Sequence, residues 1–169
     1  MGCDEMSPYG KMLDRLNKNM IEDHSAVNGL RNPICKNLKK MTNGQLSYVL
    51  IQYTIFPRNI VSYLATACQQ MVKFEMYDVV SELGRNMEEE KGSQSNGIPH
   101  YDILTNGIKE EFDLDITKII PVSASFMFDK KMKEIVSSDD PYKDDPYKIM
   151  GALYAMESTA VPELKIVLD

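Results

Sequence analysis

Residues 86–100 read NMEEEKGSQSNGIPH: three consecutive glutamates, a run of Gly, Ser and Asn, then Pro99 and His100, one of only two histidines in the chain. The segment before it is helical in period. Val80, Leu83 and Met87 share a face, and Glu90 is the next residue in that i, i+3, i+4 series. Glu88 and Glu89 fall off the stripe toward solvent. The segment after it is helical again, with Ile103, Leu104, Gly107 and Ile108 on the face that His100 begins. The stretch is therefore a loop between two helices, with an inward acid at one lip and an imidazole at the other.

Working outward, helical periodicity dominates and no alternating apolar–polar segment is long enough for a strand. Ser7-Pro8 reads as an N-cap with proline at the first helical position, followed by an apolar stripe of Met12, Leu13, Leu16 and Met20. Asn28-Gly29 and Asn32-Pro33 close that helix. A short helix over Pro33 to Met41 and a turn at Thr42-Asn43-Gly44 lead to a long helix, Gln45 to Met71, with a kink expected at Pro57. Helices then run over Glu75 to Glu90 and Pro99 to Phe112. Another is capped by Asp115, has Pro121 near its start and ends at Val136. The last begins near Pro146, is interrupted by Pro162 and runs to the end. This predicts an all-α, compact helical bundle forming a single domain over residues 1–169. The tandem DDPYKDDPYK at 139–148 reads as a tolerated surface duplication.

Composition narrows the function. Apolar residues make up 43% and charged residues 26%, and the formal net charge of −6 disfavours a nucleic-acid partner. No apolar run approaches the ~20 residues that span a bilayer. The N-terminus, MGCDEMSPYG, lacks a secretory h-region, and Met6 departs from the myristoylation pattern. Cys3, Cys35 and Cys68 are odd in number and lack a CxxC spacing, which fits reduced thiols and a cytoplasmic location.

A second acid stands on an apolar face. Met150, Leu153, Ala160 and Leu164 follow a three-four spacing whose middle position is Glu157, within GALYAMESTAV. A carboxylate there loses several kcal/mol of hydration unless something compensates. Glu90, His100 and Glu157 thus project from three helices toward the interior, the donor chemistry that iron or manganese takes in helical bundles. Each has a plainer reading: a solvated helix-end acid, a capping or core histidine, and a buried salt bridge.

Asn86-Met87-Glu88-Glu89-Glu90-Lys91-Gly92 resembles the N-[IL]-x-[DE]-E-x-G segment of haem-oxygenase-like proteins, and Gly151 to Glu157 resembles their G-A-L-x-A-x-E helix. Upstream, NPICKNLKKMTNGQLSYVLIQYTIFPRNI is similar to the family's leading segment, with its G-x-L-S turn and the pair Gln52-Tyr53. The resemblance spans roughly Pro33 to Leu168. It points to the haem-oxygenase-like di-iron oxidases and oxygenases, including the group related to the chlamydial death-domain-associating protein, with the thiaminase and pyrroloquinoline-quinone synthesis branches further off. The resemblance implies a seven-helix fold, two non-haem irons that activate O2, and Glu90, His100 and Glu157 as iron ligands. The family's further ligand helix, H-x3-D-x2,3-H, has no counterpart, since no histidine follows His100. The expectation is a bundle lacking its last helices, or one that has lost the metal.

The function expected is an iron-dependent, O2-activating oxidase or oxygenase acting on a small organic metabolite, as a homodimer with no membrane partner. The alternative is a metal-free helical interaction protein of the same fold, which the twelve methionines would suit. Two enzyme readings carry less weight. A haem ligand at His24 falls at a helix end without a glycine-rich helix after it, and a thiaminase-like nucleophile at Cys68 sits among Ala65, Ala67 and Met71.

Overall fold

The structure, a computed structural model, describes residues 8–23, 32–114, 116, 120–140 and 145–168. His24, the Asn28-Gly29 stop and the Asp115 cap lie outside the described residues, as do the side chains of Cys35 and Pro162. The described residues form helices and turns without a strand, so the chain is all-α. Among them no helix is long and apolar enough to cross a membrane. Contacts divide the chain into two compact units, Thr42–Ala152 and Met1–Met41 with Leu153–Asp169.

The larger unit begins with helix α3, Asn43–Tyr53. Thr42 and Gln45 cap it reciprocally: the Gln45 amide donates to Thr42 Oγ1 and the Thr42 amide to Gln45 Oε1. This capping box places the helix start two residues before the expected one. Helix α4, Ile55–Lys73, follows after a break at Thr54. Pro57 lacks the N–H that would bond the carbonyl four residues back, at Tyr53, so the break falls a turn ahead of the proline. Thr54 is fully buried there, and its hydroxyl donates to the Ile51 carbonyl at 2.8 Å.

Helix α4 is the centre of this unit. Ile60, Leu64, Ala67 and Met71 recur at three-four spacing and are all buried, as is Tyr63 beside them. Against it pack α5 (Tyr77–Glu90), α6 (His100–Phe112) and α7 (Ser123–Val136). These helices bring buried Leu83, Ile108, Met132 and Val136. Side chains of that size each contribute about 1.5–3 kcal/mol on full burial.

Helix α7 is fastened to α4 by polar groups too. Asp129 Oδ1 accepts from the Tyr63 hydroxyl and from Asn59 Nδ2 at 3.1 Å, and Lys133 Nζ reaches Oδ2 at 2.7 Å. Burial raises the Asp129 pKa, but the Lys133 and Tyr63 hydrogen bonds and the Lys133 charge outweigh it and hold the carboxyl below its usual range. Burial first, then the bond to Asp129, push the Tyr63 phenol well above its usual range. Ahead of α7, Gln52 ties down the incoming chain by donating to the Ile120 carbonyl and accepting from the Val122 amide at 3.0 Å.

Helix α8 runs Asp145–Leu168 as one element. It passes through Pro162, where an interruption was expected; a proline removes one internal hydrogen bond, and this helix bears that loss. Its first residue gives the duplication a structural role. Asp145 is buried and accepts from the Ser138 hydroxyl, the Asp140 amide and Lys148 Nζ, so the second DDPYK copy starts the helix. In the smaller unit, α1 (Pro8–Lys18) continues as a π-helical turn over Asn19–Asp23. The Tyr154 hydroxyl donates to Asn17 Oδ1 at 2.7 Å. Helix α2 (Pro33–Asn37) ends in a 3-10 turn at Leu38–Lys40.

A carboxylate with a depressed pKa stabilises the fold above its unfolded value, about 3.9, and that contribution is lost as pH falls through the folded pKa. Replacing Tyr63 by Phe removes one of the bonds to charged Asp129. It is expected to cost about 1.5–3 kcal/mol at neutral pH. In urea titrations the difference from wild type should shrink once the pH falls below the carboxylate range. An undiminished difference would assign the cost to packing instead.

Candidate functional site

The loop between α5 and α6 is built by its glycine. The Ser93 amide bonds the Glu88 carbonyl at 3.0 Å and the Gly92 amide bonds Glu89 at 2.9 Å, the paired bonds of a Schellman cap. Gly92 takes φ +100°, as the position after such a cap requires. It also lies against Ile98: a Cβ built on Gly92 would stand 2.5 Å from the Ile98 carbonyl carbon. The chain turns back on itself, with the Ser95 and Gly97 amides on the Gly92 carbonyl and the Ser95 hydroxyl on Ile98 O at 2.6 Å. Proline then opens α6.

This turn brings the last residue of α5 to the first residue of α6. His100 Nδ1 stands 3.3 Å from Glu90 Oε1. The Glu90 side chain is 21% exposed and that of His100 45%, so the pair sits at a rim rather than in the core. The buried face of α6 runs through Ile108, with Tyr101 and Leu104 half-buried, and His100 flanks it; Ile103, expected on that face, is exposed. Glu89 is covered to nearly the same extent as Glu90, at 24% exposure, because Arg85 and Gln94 Nε2 hold its carboxylate. Glu88 is exposed and paired with Lys91.

The donor set can be tested against a metal. Ligands about 2.1 Å from one ion stand roughly 3–3.4 Å apart when adjacent, so the Glu90–His100 separation matches two neighbouring ligands. The donor types, a carboxylate oxygen and an imidazole nitrogen, also fit iron. The third expected ligand differs in setting. Glu157 is exposed on α8 and belongs to the smaller unit, whereas Glu90 and His100 belong to the larger. The inward position expected for it is corrected by the phase of the helix: the covered residues are Ile149, Leu153 and, in part, Met156, which turns Glu157 one residue past that face. Among the described residues no group of three or more His, Cys, Asp or Glu side chains is gathered for a metal ion.

Cys68 is half-buried with Sγ 3.9 Å from the Val80 carbonyl, and burial pushes its thiol pKa up, a packing role and a poor setting for a thiolate nucleophile. Two features escaped the sequence reading. The Asp129 cluster joins residues 66 and 70 apart in the chain, a pairing with no local signature. A cleft beside it, walled partly by Arg58 and Phe126, forms between the start of α4 and the start of α7.

Residues 10–169 match the family described as a domain of unknown function with a solved structure, DUF3865. No curated protein matches the chain. Among solved structures it is similar to a CADD-like protein of unknown function from Nostoc punctiforme PCC 73102. One crystal structure of that protein aligns with a TM-score of 0.85 and 27% identity over 95% of this chain and 67% of the other. A second aligns with the same score and identity over 94% and 66%. The chain thus spans about two thirds of that relative's length.

The turn makes a direct prediction. Gly92→Ala combines a strained positive φ with a backbone clash and is expected to cost about 1–3 kcal/mol in urea unfolding. It should also change the His100 ring signals in NMR spectra, because the Glu90 contact depends on the turn. Gly44→Ala, with open space around its Cβ, should be neutral or stabilise by about 0.5–1 kcal/mol. A Gly92 variant with wild-type stability would show that the cap does not hold the pair.

Proposed function

We propose that this chain, which belongs to the DUF3865 family, contributes the Glu90–His100 pair as metal ligands to a non-haem iron oxidase or oxygenase acting on a small organic metabolite. The observation that carries the reading is the 3.3 Å approach of the two donors, fixed by the Gly92 turn. The similarity to a CADD-like protein supports it. Iron, when bound, would supply the activation of O2 for which side chains alone have no chemistry. Glu90 would offset part of the ion's charge, and His100 would add a neutral nitrogen donor. Glu157, the third donor expected from the sequence, is exposed on α8 and is left out of the proposed pair. Two donors are fewer than two irons require, so a complete di-iron site needs further ligands. In the same proposal the protein is a homodimer.

A second reading, a helical interaction protein without metal, is favoured by a different observation. Phe126, Met127 and Phe128 on α7 are 45–60% exposed, an apolar run on one helix.

Iron content separates the two. Protein reconstituted with Fe(II) without oxygen should retain iron through desalting, with an Fe–histidine signature by X-ray absorption. Glu90→Ala and His100→Ala should each weaken binding by at least about tenfold while far-UV circular dichroism keeps its helical signal. Iron at background in a folded wild-type protein would favour the interaction reading. Iron unaffected by either substitution would move the ligands elsewhere.

A further inference from the structure

We propose that the cleft between the start of α4 and the start of α7 is a binding site for a small organic carboxylate, anchored by the Arg58 guanidinium. It shares no residue with the Glu90–His100 pair. The cleft holds about 140 Å³, close to the engineered cavity of about 150 Å³ that takes up benzene, so an apolar body of roughly six heavy atoms fits. Ile55, Pro121 and Phe126 supply apolar walls.

The polar groups of the cleft are accounted for one by one. The Thr54 hydroxyl is spent on the Ile51 carbonyl. Asn59 Nδ2 donates to the Ile55 carbonyl at 3.0 Å and to Asp129 at 3.1 Å. Asp129 is neutralised by Lys133 and bonded by Tyr63. Arg58 remains. Its guanidinium has no hydrogen-bond or ion-pair partner among the described residues. The sequence explains why: the helix positions three and four residues away are Thr54, Ile55, Val61 and Ser62, none of them acidic. A full positive charge with five N–H donors therefore borders a cleft of mixed polar and apolar lining. A carboxylate satisfies that fork with two parallel bonds while its alkyl part covers the walls. A cation of the same shape is repelled.

The cleft needs no ligand to form. Gln52 fixes the chain on both sides of Pro121 through Ile120 and Val122, and the Thr54 break sets the mouth of α4.

The test uses the full chain treated with chelator, so that its outcome is independent of iron. Valerate, n-butylammonium and n-pentanol are titrated at constant ionic strength while amide resonances are followed by NMR. Valerate should shift Ile55, Arg58 and Phe126 saturably, and the ammonium should not. Arg58→Gln, a surface substitution, should weaken valerate by about tenfold or more, the worth of a charge-assisted hydrogen bond. Arg85→Gln, on α5 and already paired with Glu82 and Glu89, should leave it unchanged. Non-saturating valerate shifts, equal binding of the ammonium or the alcohol, or unchanged affinity in Arg58→Gln would each overturn the proposal.

Discussion

Packing on several sides leaves the buried face of α4 no room for an unpartnered polar group, and the rest of the larger unit follows from how that demand is met. Tyr63 is 1% exposed, so its hydroxyl requires an acceptor inside the protein. Asp129 provides it, and the partly buried Asp129 carboxylate needs a paired cation to offset its lost hydration, which Lys133 one turn along α7 supplies. The helix pair is thereby fixed in rotation as well as in distance: slide α7 by one residue and Met132 and Val136 leave the core together with Asp129. Gln70 is the exception. It is 7% exposed and its Oε1 has no partner among the described residues, a lapse of about 1–3 kcal/mol in an otherwise satisfied interior.

The Glu90–His100 pair depends on that core without belonging to it. Leu83 and Ile108 seat α5 and α6 in the larger unit, but neither helix brings its end to the other. The end-to-end approach is the work of the Schellman cap and the close contact of Gly92 with Ile98. Local backbone geometry, not burial, sets the spacing of the two donors. That explains why the pair can be only half-covered and still fixed in position, and why Glu89, equally covered, is drawn instead to Arg85 and Gln94.

Much of this was legible in residue order. The α5 and α6 boundaries, the helix start after the turn at Thr42-Asn43-Gly44 and the end of α7 at Val136 all follow from periodicity and turn residues, and the structure places them within two residues of the expected positions. Interactions between distant residues were not legible. Asp129 lies in FDKKMKE, which reads as a solvated charged face; only the arrival of Tyr63 from 66 positions away makes it interior. Gln52 was seen as half of a motif, but its partners at 120 and 122 are set by the path of the chain. Glu157 shows the limit of phase. A stripe drawn through Met150 and one drawn through Ile149 differ by one residue, or about 100° of helix, and the short apolar run GALYAM satisfies both. Composition could not choose between them.

The two candidate sites differ in how their charge is held, and that difference bears on what each can bind. Several cations of the larger unit are engaged close by in sequence: Arg85 with Glu82 and Glu89, Lys91 with Glu88, Lys133 with Asp129, Lys148 with Asp145. Arg58 has no such partner and lies at the cleft, so an incoming anion displaces only water there. The Glu90–His100 pair is the reverse. Its carboxylate and imidazole already face each other at 3.3 Å, so a metal ion in the proposed role would replace that contact rather than add to it.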